Sequence, residues 1–387
     1  MRRIGTRIGF GLAAVILAAL FSEAAGRGDV PRWTAGQNEG YSFQVRRLSA
    51  RVLLVYGGPG SVSVHSVAIA SSRGIVVVDT NISPRIASGV KDIFRREFGR
   101  DDFRYVVNTH SDSDHCWGNA AFAGTEIVAQ ELAADVLKGI RRDPGKALGA
   151  EVEYSRAAID GWKESLAGQS LSPQEGKALQ QKIDHEEALL TEYRGPFAFA
   201  APTISFQDRL TIDLGDRTLV LRYYGRAHRE GDTIVTVPEE GLVLTGDLRF
   251  DFSLGYSSDP AVVPQPAFDV PRWLEVLDEV LAEPEKLNWV VLSHHFDPWK
   301  PAELAARRDY LASLWAAVGQ ARDSGGTLED LLKTWTLEAK FPRALSWNLQ
   351  WAPDEPLKPE DRTRFHENLI KIFWRSRPAA GPRPPAR

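Results

Sequence analysis

The sequence predicts an α/β fold built in layers, with sheets inside and helices outside. Short β-branched runs, such as IVVVD at 75–79 and TLVLRYY at 218–224, recur in both halves of the chain. Segments with apolar residues at helical spacing alternate with them. Histidines and aspartates fall just past the ends of several runs, which is where ligands collect in layered α/β folds.

The 387 residues are 43% hydrophobic and 25% charged, an ordinary globular composition with length enough for a large core. That length permits two or three domains, yet α/β folds often exceed ~200 residues as one unit. The net charge is −4 and no basic stripe stands out, so no nucleic-acid partner is expected. No internal repeat of fixed period is visible.

The first 24 residues have the layout of a secretory signal peptide. Arg2, Arg3 and Arg7 precede an uncharged run at 8–21, and Ser22 and Ala24 are suitably small for cleavage after Ala24. The run is 14 residues long, short of the roughly 18 to 20 that span a bilayer. The expectation is an exported, periplasmic protein with no membrane span after cleavage. Cys116 is the only cysteine, so no intrachain disulfide forms and no lipid-anchor cysteine follows the apolar run.

Residues 25–40 are polar and Gly-rich and read as a loose leader. Strands are expected at 52–56, 61–69 and 75–79, divided by the GGPG and SSRG turns. Residues 83–98 place Ile86, Val90, Ile93 and Phe94 on one helical face. Strands follow at 105–108 and 126–130. Residues 131–195 are charged and rich in Ala and Leu and read as an inserted helical hairpin, with Ser172 and Glu175 forming a capping box. Strands resume at 203–206, 210–214, 218–224, 233–237 and 242–245. A helix opens near Asp269 with Pro271 in its first turn, and 289–293 is a further strand. Helices fill most of 302–337 and 359–375, and the Pro-rich end has no core to join. The expected plan is a signal peptide at 1–24, a leader at 25–40, one domain at 41–375 and a disordered tail at 376–387. Within the domain, 131–195 is an insert and 302–375 a helical extension.

Residues 106–119 read VVNTHSDSDHCWGN, with His110, Asp112, Asp114 and His115 crowded after an apolar run. His228 follows the strand at 218–224, Asp247 the strand at 242–245, and His294 and His295 the strand at 289–293. Imidazole and carboxylate suit zinc, iron or manganese. Two cations close together need anionic ligands against their mutual repulsion, and a carboxylate can bridge them. A single His or Asp is usually a solvated or packed side chain; it is the joint pattern that carries the signal. His65, His185 and His366 read as packed or exposed histidines, and Cys116 as a small buried hydrophobe.

In these residues the chain resembles the metallo-β-lactamase-fold hydrolases. Their motif His-x-His-x-Asp-His, then a His, an Asp or Cys, and a last His, matches His110, Asp114, His115, His228, Asp247 and His294. VVVDT with Asp79 resembles the family's early strand, whose Asp supports the metal loop, and GRAHREGDT resembles its Gly-x-x-His-x-x-Gly-Asp loop. The resemblance covers about residues 41–375 and implies a four-layer αββα sandwich with a dinuclear site at one edge. Its last His favours His294, leaving His295 as a supporting hydrogen-bonding group. One position departs: Asp112 stands where the second His is usual, as a Glu does in the flavodiiron branch. As a ligand it completes a first site with His110 and His228. The second site is Asp114, His115 and His294, and Asp247 bridges the two. Alternatively, Asp112 hydrogen-bonds a metal-bound water and leaves the first site weak or empty.

The resemblance implies two divalent metal ions, zinc in the common case, with Asp112 moving preference toward iron or manganese. The expected activity is hydrolysis by a hydroxide shared between the metals, attacking a carbonyl or phosphoryl centre while Asp114 steadies it. Lactams, lactones, thioesters and phosphoesters are the substrate classes, and fold does not choose among them. The small-molecule substrate is expected between the insert and the loop at 248–266, where Phe250, Phe252 and Tyr256 offer an apolar wall. Two other readings stay open: a di-iron redox enzyme, and a non-catalytic periplasmic metal- or ligand-binding protein. The sequence carries no signal for oligomeric state.

Overall fold

Strands buried on both faces read as unbroken apolar runs, and here such runs pair into two sheets. The computed structural model describes residues 34–38, 41–58, 63–168, 171–225, 228–229, 231–248, 269–347 and 358–377. The first sheet holds β1 (Thr34–Asn38), β2 (Tyr41–Arg47), β3 (Val52–Gly57), β4 (Val64–Ser71), β5 (Gly74–Val78), β6 (Phe103–Val107), β7 (Glu126–Gln130) and β8 (Ile204–Phe206), in chain order. Neighbours from β1 to β5 are antiparallel, whereas β5 to β8 run parallel. The second sheet has the order β13-β12-β11-β10-β9, with β9 (Arg209–Asp213), β10 (Thr218–Tyr223), β11 (Thr233–Val237), β12 (Leu242–Leu244) and β13 (Trp289–Val291). Only its β12–β13 pair is parallel.

Side-chain alternation along the strands assembles the layers. In β5, Val76 and Val78 enter a core shared with Leu219, Leu221, Val235 and Leu244 of the second sheet. The alternate residues Ile75 and Val77 turn outward onto Ile86, Val90, Ile93 and Phe94 of α1 (Pro84–Phe98). On the far side, Ile234, Val243 and Val290 face α6 (Val270–Val280) and α7 (Pro301–Asp323). The result is helix, sheet, sheet, helix, the αββα order that the motif resemblance implies.

Helix α1 begins where Ser83 accepts a hydrogen bond from the Ile86 amide and Pro84 takes the first turn, a cap contributing about 1 kcal/mol. It ends at Gly99, which adopts a left-handed conformation (φ 66°). The ligand segment after β6 forms a single turn, α2 (Ser113–Cys116), and then a 3₁₀ stretch at Trp117–Phe122. Gly118 is required there. A Cβ at this position would lie 2.0 Å from the Thr80 carbonyl oxygen and 2.5 Å from the Ala87 Cβ.

The segment 131–195, expected as a hairpin, holds three helices: α3 (Glu131–Arg142), α4 (Pro144–Gly168) and α5 (Pro173–Tyr193). Pro144 divides the first two, because the residue before a proline is driven out of helical backbone. The Ser172–Glu175 capping box is formed in both directions. At the C-terminal side lie α8 (Leu328–Thr334), α9 (Leu337–Lys340) and α10 (Pro359–Ser376). Tyr310 and His366 hydrogen-bond at 2.7 Å among Trp335 and Trp347, so those aromatics pack within the extension.

The leader expected at 25–40 needs correction: Thr34–Asn38 is the edge strand β1, paired with β2 from Thr34↔Val45 to Asn38↔Tyr41. The signal peptide, Phe250, Phe252, Tyr256 and the tail beyond residue 377 lie outside the described residues. Among those described, no helix is long and apolar enough to cross a membrane.

The close approach at Gly118 gives a test. Gly118→Ala should lower stability by about 1–3 kcal/mol through overpacking. Urea denaturation would read this as a lower midpoint at unchanged slope.

Candidate metal centre

Parallel pairing of β5 with β6 and of β12 with β13 brings strand ends to common edges, and the loops leaving them carry the candidate ligands. Asp79 follows β5; His110, Asp112, Asp114 and His115 follow β6; His228 follows β10, Asp247 follows β12 and His294 follows β13. Cross-sheet hydrogen bonds close the seam between them. The Thr233 amide donates to the Thr109 carbonyl, and the His65 amide to the Ser293 carbonyl, at 2.8 and 2.9 Å.

Ligand atoms gather in three overlapping trios, each with its donors within 4.8 Å of one another: His110, Asp112 and His228; Asp114, His115 and His294; and His110, His115 and Asp247. The first two are the two sets the motif implies. Asp247 lies between them: Oδ1 is 3.3 Å from His115 Nε2, while Oδ2 is 3.2 Å from His294 Nε2 and 3.6 Å from His228 Nε2. Asp114 Oδ2 is 3.3 Å from His115 Nε2 and 3.1 Å from His294 Nε2.

Asp79 sets the orientation of this cluster. Its backbone is left-handed (φ 58°), a conformation that Asp tolerates better than most residues. Its buried carboxylate accepts from the Thr109 amide (2.8 Å), from Thr109 Oγ1 (2.7 Å) and from His115 Nδ1 (2.8 Å). A carboxylate only accepts, so His115 keeps a proton on Nδ1 and turns Nε2 to the centre as the atom free to ligate once its own proton leaves. Thr109 Oγ1 spends its hydrogen on Asp79, so at 3.0 Å it accepts from His110 Nδ1 and leaves His110 Nε2 bare. His294 Nδ1 donates to the Ser63 carbonyl at 2.9 Å, again presenting Nε2. Three imidazoles are thus fixed in one tautomer, the arrangement metal-ligating histidines adopt.

The donor set fits divalent cations. His110 Nε2, His115 Nε2 and Asp247 Oδ1 are buried without a hydrogen bond, which is costly unless another group takes them up. In the metal-free protein, protons compensate the carboxylates. Burial alone would depress His294, but Asp247 and Asp114 raise it to about 9. Burial opposes His115 in the same way, and Asp114, Asp247 and Asp79 hold it well above the usual imidazole range. Against the cost of burial, the imidazoles of His110 and His228 keep Asp112 well below the carboxylate range.

Four groups absent from the sequence expectation complete the site. Asp232, 4% exposed, accepts the amides of His228 and Arg229 and so shapes the turn that carries both. Arg229 Nε lies 2.9 and 3.0 Å from the two oxygens of Asp112. Glu151 of α4 is pushed up to about 7 by burial, with Asp114 and Asp112 adding to it, against a hydrogen bond with Ser113. The fourth is the Ser63 carbonyl. The GRAHREGDT loop already contained Arg229 and Asp232, so only their pairing was hidden.

The remaining residues have supporting places. His65 is neutral, depressed to about 3 chiefly by burial, and its Nε2 donates to the His295 carbonyl at 2.9 Å, steadying the loop that carries His294. The ring expected to support the ligands, His295, instead hydrogen-bonds the Asp297 carbonyl at 2.9 Å and accepts from Trp299 Nε1, drawn there by the aromatic core. Cys116 is buried, with Sγ 2.9 Å from the Asp112 carbonyl oxygen, and burial raises its thiol well above the ordinary value.

The family model described as the metallo-beta-lactamase superfamily matches residues 59–294. Among solved structures, a metallo-beta-lactamase from Pontibacter korlensis is 14% identical, with a TM-score of 0.46, over 70% of this chain and 99% of that one. A metallo beta lactamase from Erythrobacter litoralis, solved with beta mercaptoethanol in its active site, is 13% identical with a TM-score of 0.44. That match spans 72% of this chain and 100% of the other. No curated protein matches the chain.

Two outcomes follow from the site's electrostatics. Asp79→Asn keeps a side chain that tolerates φ 58° but removes acceptor capacity, and should weaken metal binding about 10–100-fold, measured by competition with a chelator. The raised His294 stabilises the metal-free fold fully below about pH 6.5, the free imidazole value, and this contribution is lost as pH rises through about 9. The melting temperature of the metal-free protein should therefore fall between pH 7 and pH 9.5, and a flat profile would contradict the assignment.

Proposed function

The chain belongs to the metallo-β-lactamase superfamily, and on that premise we propose that it is a metal-dependent hydrolase acting at a carbonyl or phosphoryl centre of a small molecule. The observation that carries the reading is the pair of ligand trios facing each other across Asp247. His110, Asp112 and His228 would hold one divalent cation and Asp114, His115 and His294 the other, with Asp247 placed between the two sets. Zinc suits the imidazoles, while the third carboxylate makes iron or manganese competent alternatives. Bound there, the cations supply Lewis-acid polarisation of the substrate oxygen and a water acidified toward neutral pH.

The protein's own groups do the rest. Asp79 and Thr109 hold His115 and His110 with Nε2 toward the centre, so loading would displace protons but need little reorientation of the rings. Asp114, on the one-turn helix α2, orients the attacking water and accepts its hydrogen bond. Glu151, near neutral in its titration, lies on the insert side of the site, where it can return a proton to a leaving group. No serine or cysteine nucleophile is required, and Cys116 stays a buried thiol. We place the protein outside the cytoplasm, in the periplasm, on the layout of residues 1–24.

The test combines metal analysis with a panel of lactam, lactone, thioester and phosphodiester substrates. About two ions per chain are expected from a bridged pair of sites. His115→Ala and Asp247→Ala should reduce turnover of any accepted substrate to background. A protein that takes up no metal after reconstitution, or variants that retain full rate, would refute the reading.

A further inference from the structure

Building on the two-trio reading, we propose that Arg229 makes the two metal positions unequal by holding Asp112 in an ion pair, so that the first trio fills second and weakly. The argument begins with geometry. Arg229 Nε is 2.9 Å from Asp112 Oδ1 and 3.0 Å from Oδ2, so one donor engages both oxygens that a cation would need. The contact is built. The amides of His228 and Arg229 both donate to the Asp232 carboxylate, which fixes the turn that presents a candidate ligand and the arginine side by side. His228 Nε2 then stands 3.2 Å from Asp112 Oδ2, an oxygen that Arg229 also engages.

Charge makes the two positions different. His110 and His228 are neutral when ligating, and the Asp112 charge is matched by a guanidinium that stays protonated at all relevant pH. The first trio with its arginine therefore offers a cation no net charge. The second trio offers Asp114, with no guanidinium or ammonium paired to it among the described residues, and Asp247, lying between the trios, serves both. A cation entering the first trio must share Asp112 with Arg229 and sit close to its positive charge. The second trio fills first, and Arg229 acts as a positioning residue that holds down occupancy of the first.

Titrating the metal-free full chain with zinc(II) alone by calorimetry, and with cobalt(II) alone by absorption, tests this. Wild-type protein should bind one equivalent tightly and a second at least about 10-fold more weakly. Arg229→Gln should tighten the second equivalent at least about 10-fold and leave the first within about 3-fold, which also reports that the variant is folded. Arg229→Lys, which keeps the charge but loses the Nε donor shared by both oxygens, should tighten it less. In an Asp112→Asn background, Arg229→Gln should recover only a small part of that gain. Two equivalents of equal affinity in the wild type, or a second equivalent unchanged or weakened in Arg229→Gln, would overturn the inference while leaving the hydrolase reading intact. Wild-type protein that binds no metal would bring down that reading and this inference together.

Discussion

The site depends on one buried carboxylate. Asp79 leaves β5 in a left-handed backbone, anchored by its amide to the Val107 carbonyl, and accepts from two atoms of Thr109 and from His115. Those bonds hold the backbone conformation against its strain and fix the height of the ligand loop above β6. They also decide where protons reside on two imidazoles. Close packing around the loop follows from the same constraint: Gly118 passes against the Thr80 carbonyl, and Gly246, at φ 59°, passes against Thr109. Neither passage leaves room for a side chain.

Around this anchor the electrostatics are unfinished without a cation. Asp112, Asp114 and Asp247 stay ionised although burial opposes it, because imidazoles surround them. Protons on His115 and His294 stand in for positive charge that the ligand geometry would otherwise receive from metal. Such a cluster is expensive as a structural device, since apolar residues would fill the same space at lower cost. That expense is what singles out the seam as the candidate site.

Much of this was legible from sequence because each ligand follows a strand whose apolar run is easy to read. His110, Asp114, His115, His228, Asp247 and His294 all stand in such places, and the structure brings them together as the motif implies. Three features were hidden for different reasons. TAGQN, the β1 strand, has little strand propensity and is held by backbone pairing at an edge. The extra helix in the insert turns on a single Asp-Pro step at 143–144. The partners that tune the ligands are remote in sequence: Arg229 meets Asp112 across 117 positions, and His294 meets Ser63 across 231. Periodicity carries no information about such pairs.

The candidate ligands are divided between the halves of the chain. Four come from the loop after β6 in the first sheet, and His228, Asp247 and His294 come from the second. Neither half alone supplies the donor set that the two bring together. A cation held across the seam would therefore be a cross-link as well as a reagent, and its binding energy would count toward keeping the halves docked. At a free metal concentration a thousand times Kd, such linkage adds about 4 kcal/mol to the folded state, comparable with the whole stability of many domains. The metal supply around the protein would then govern how long each molecule survives proteolysis, quite apart from how fast it turns over.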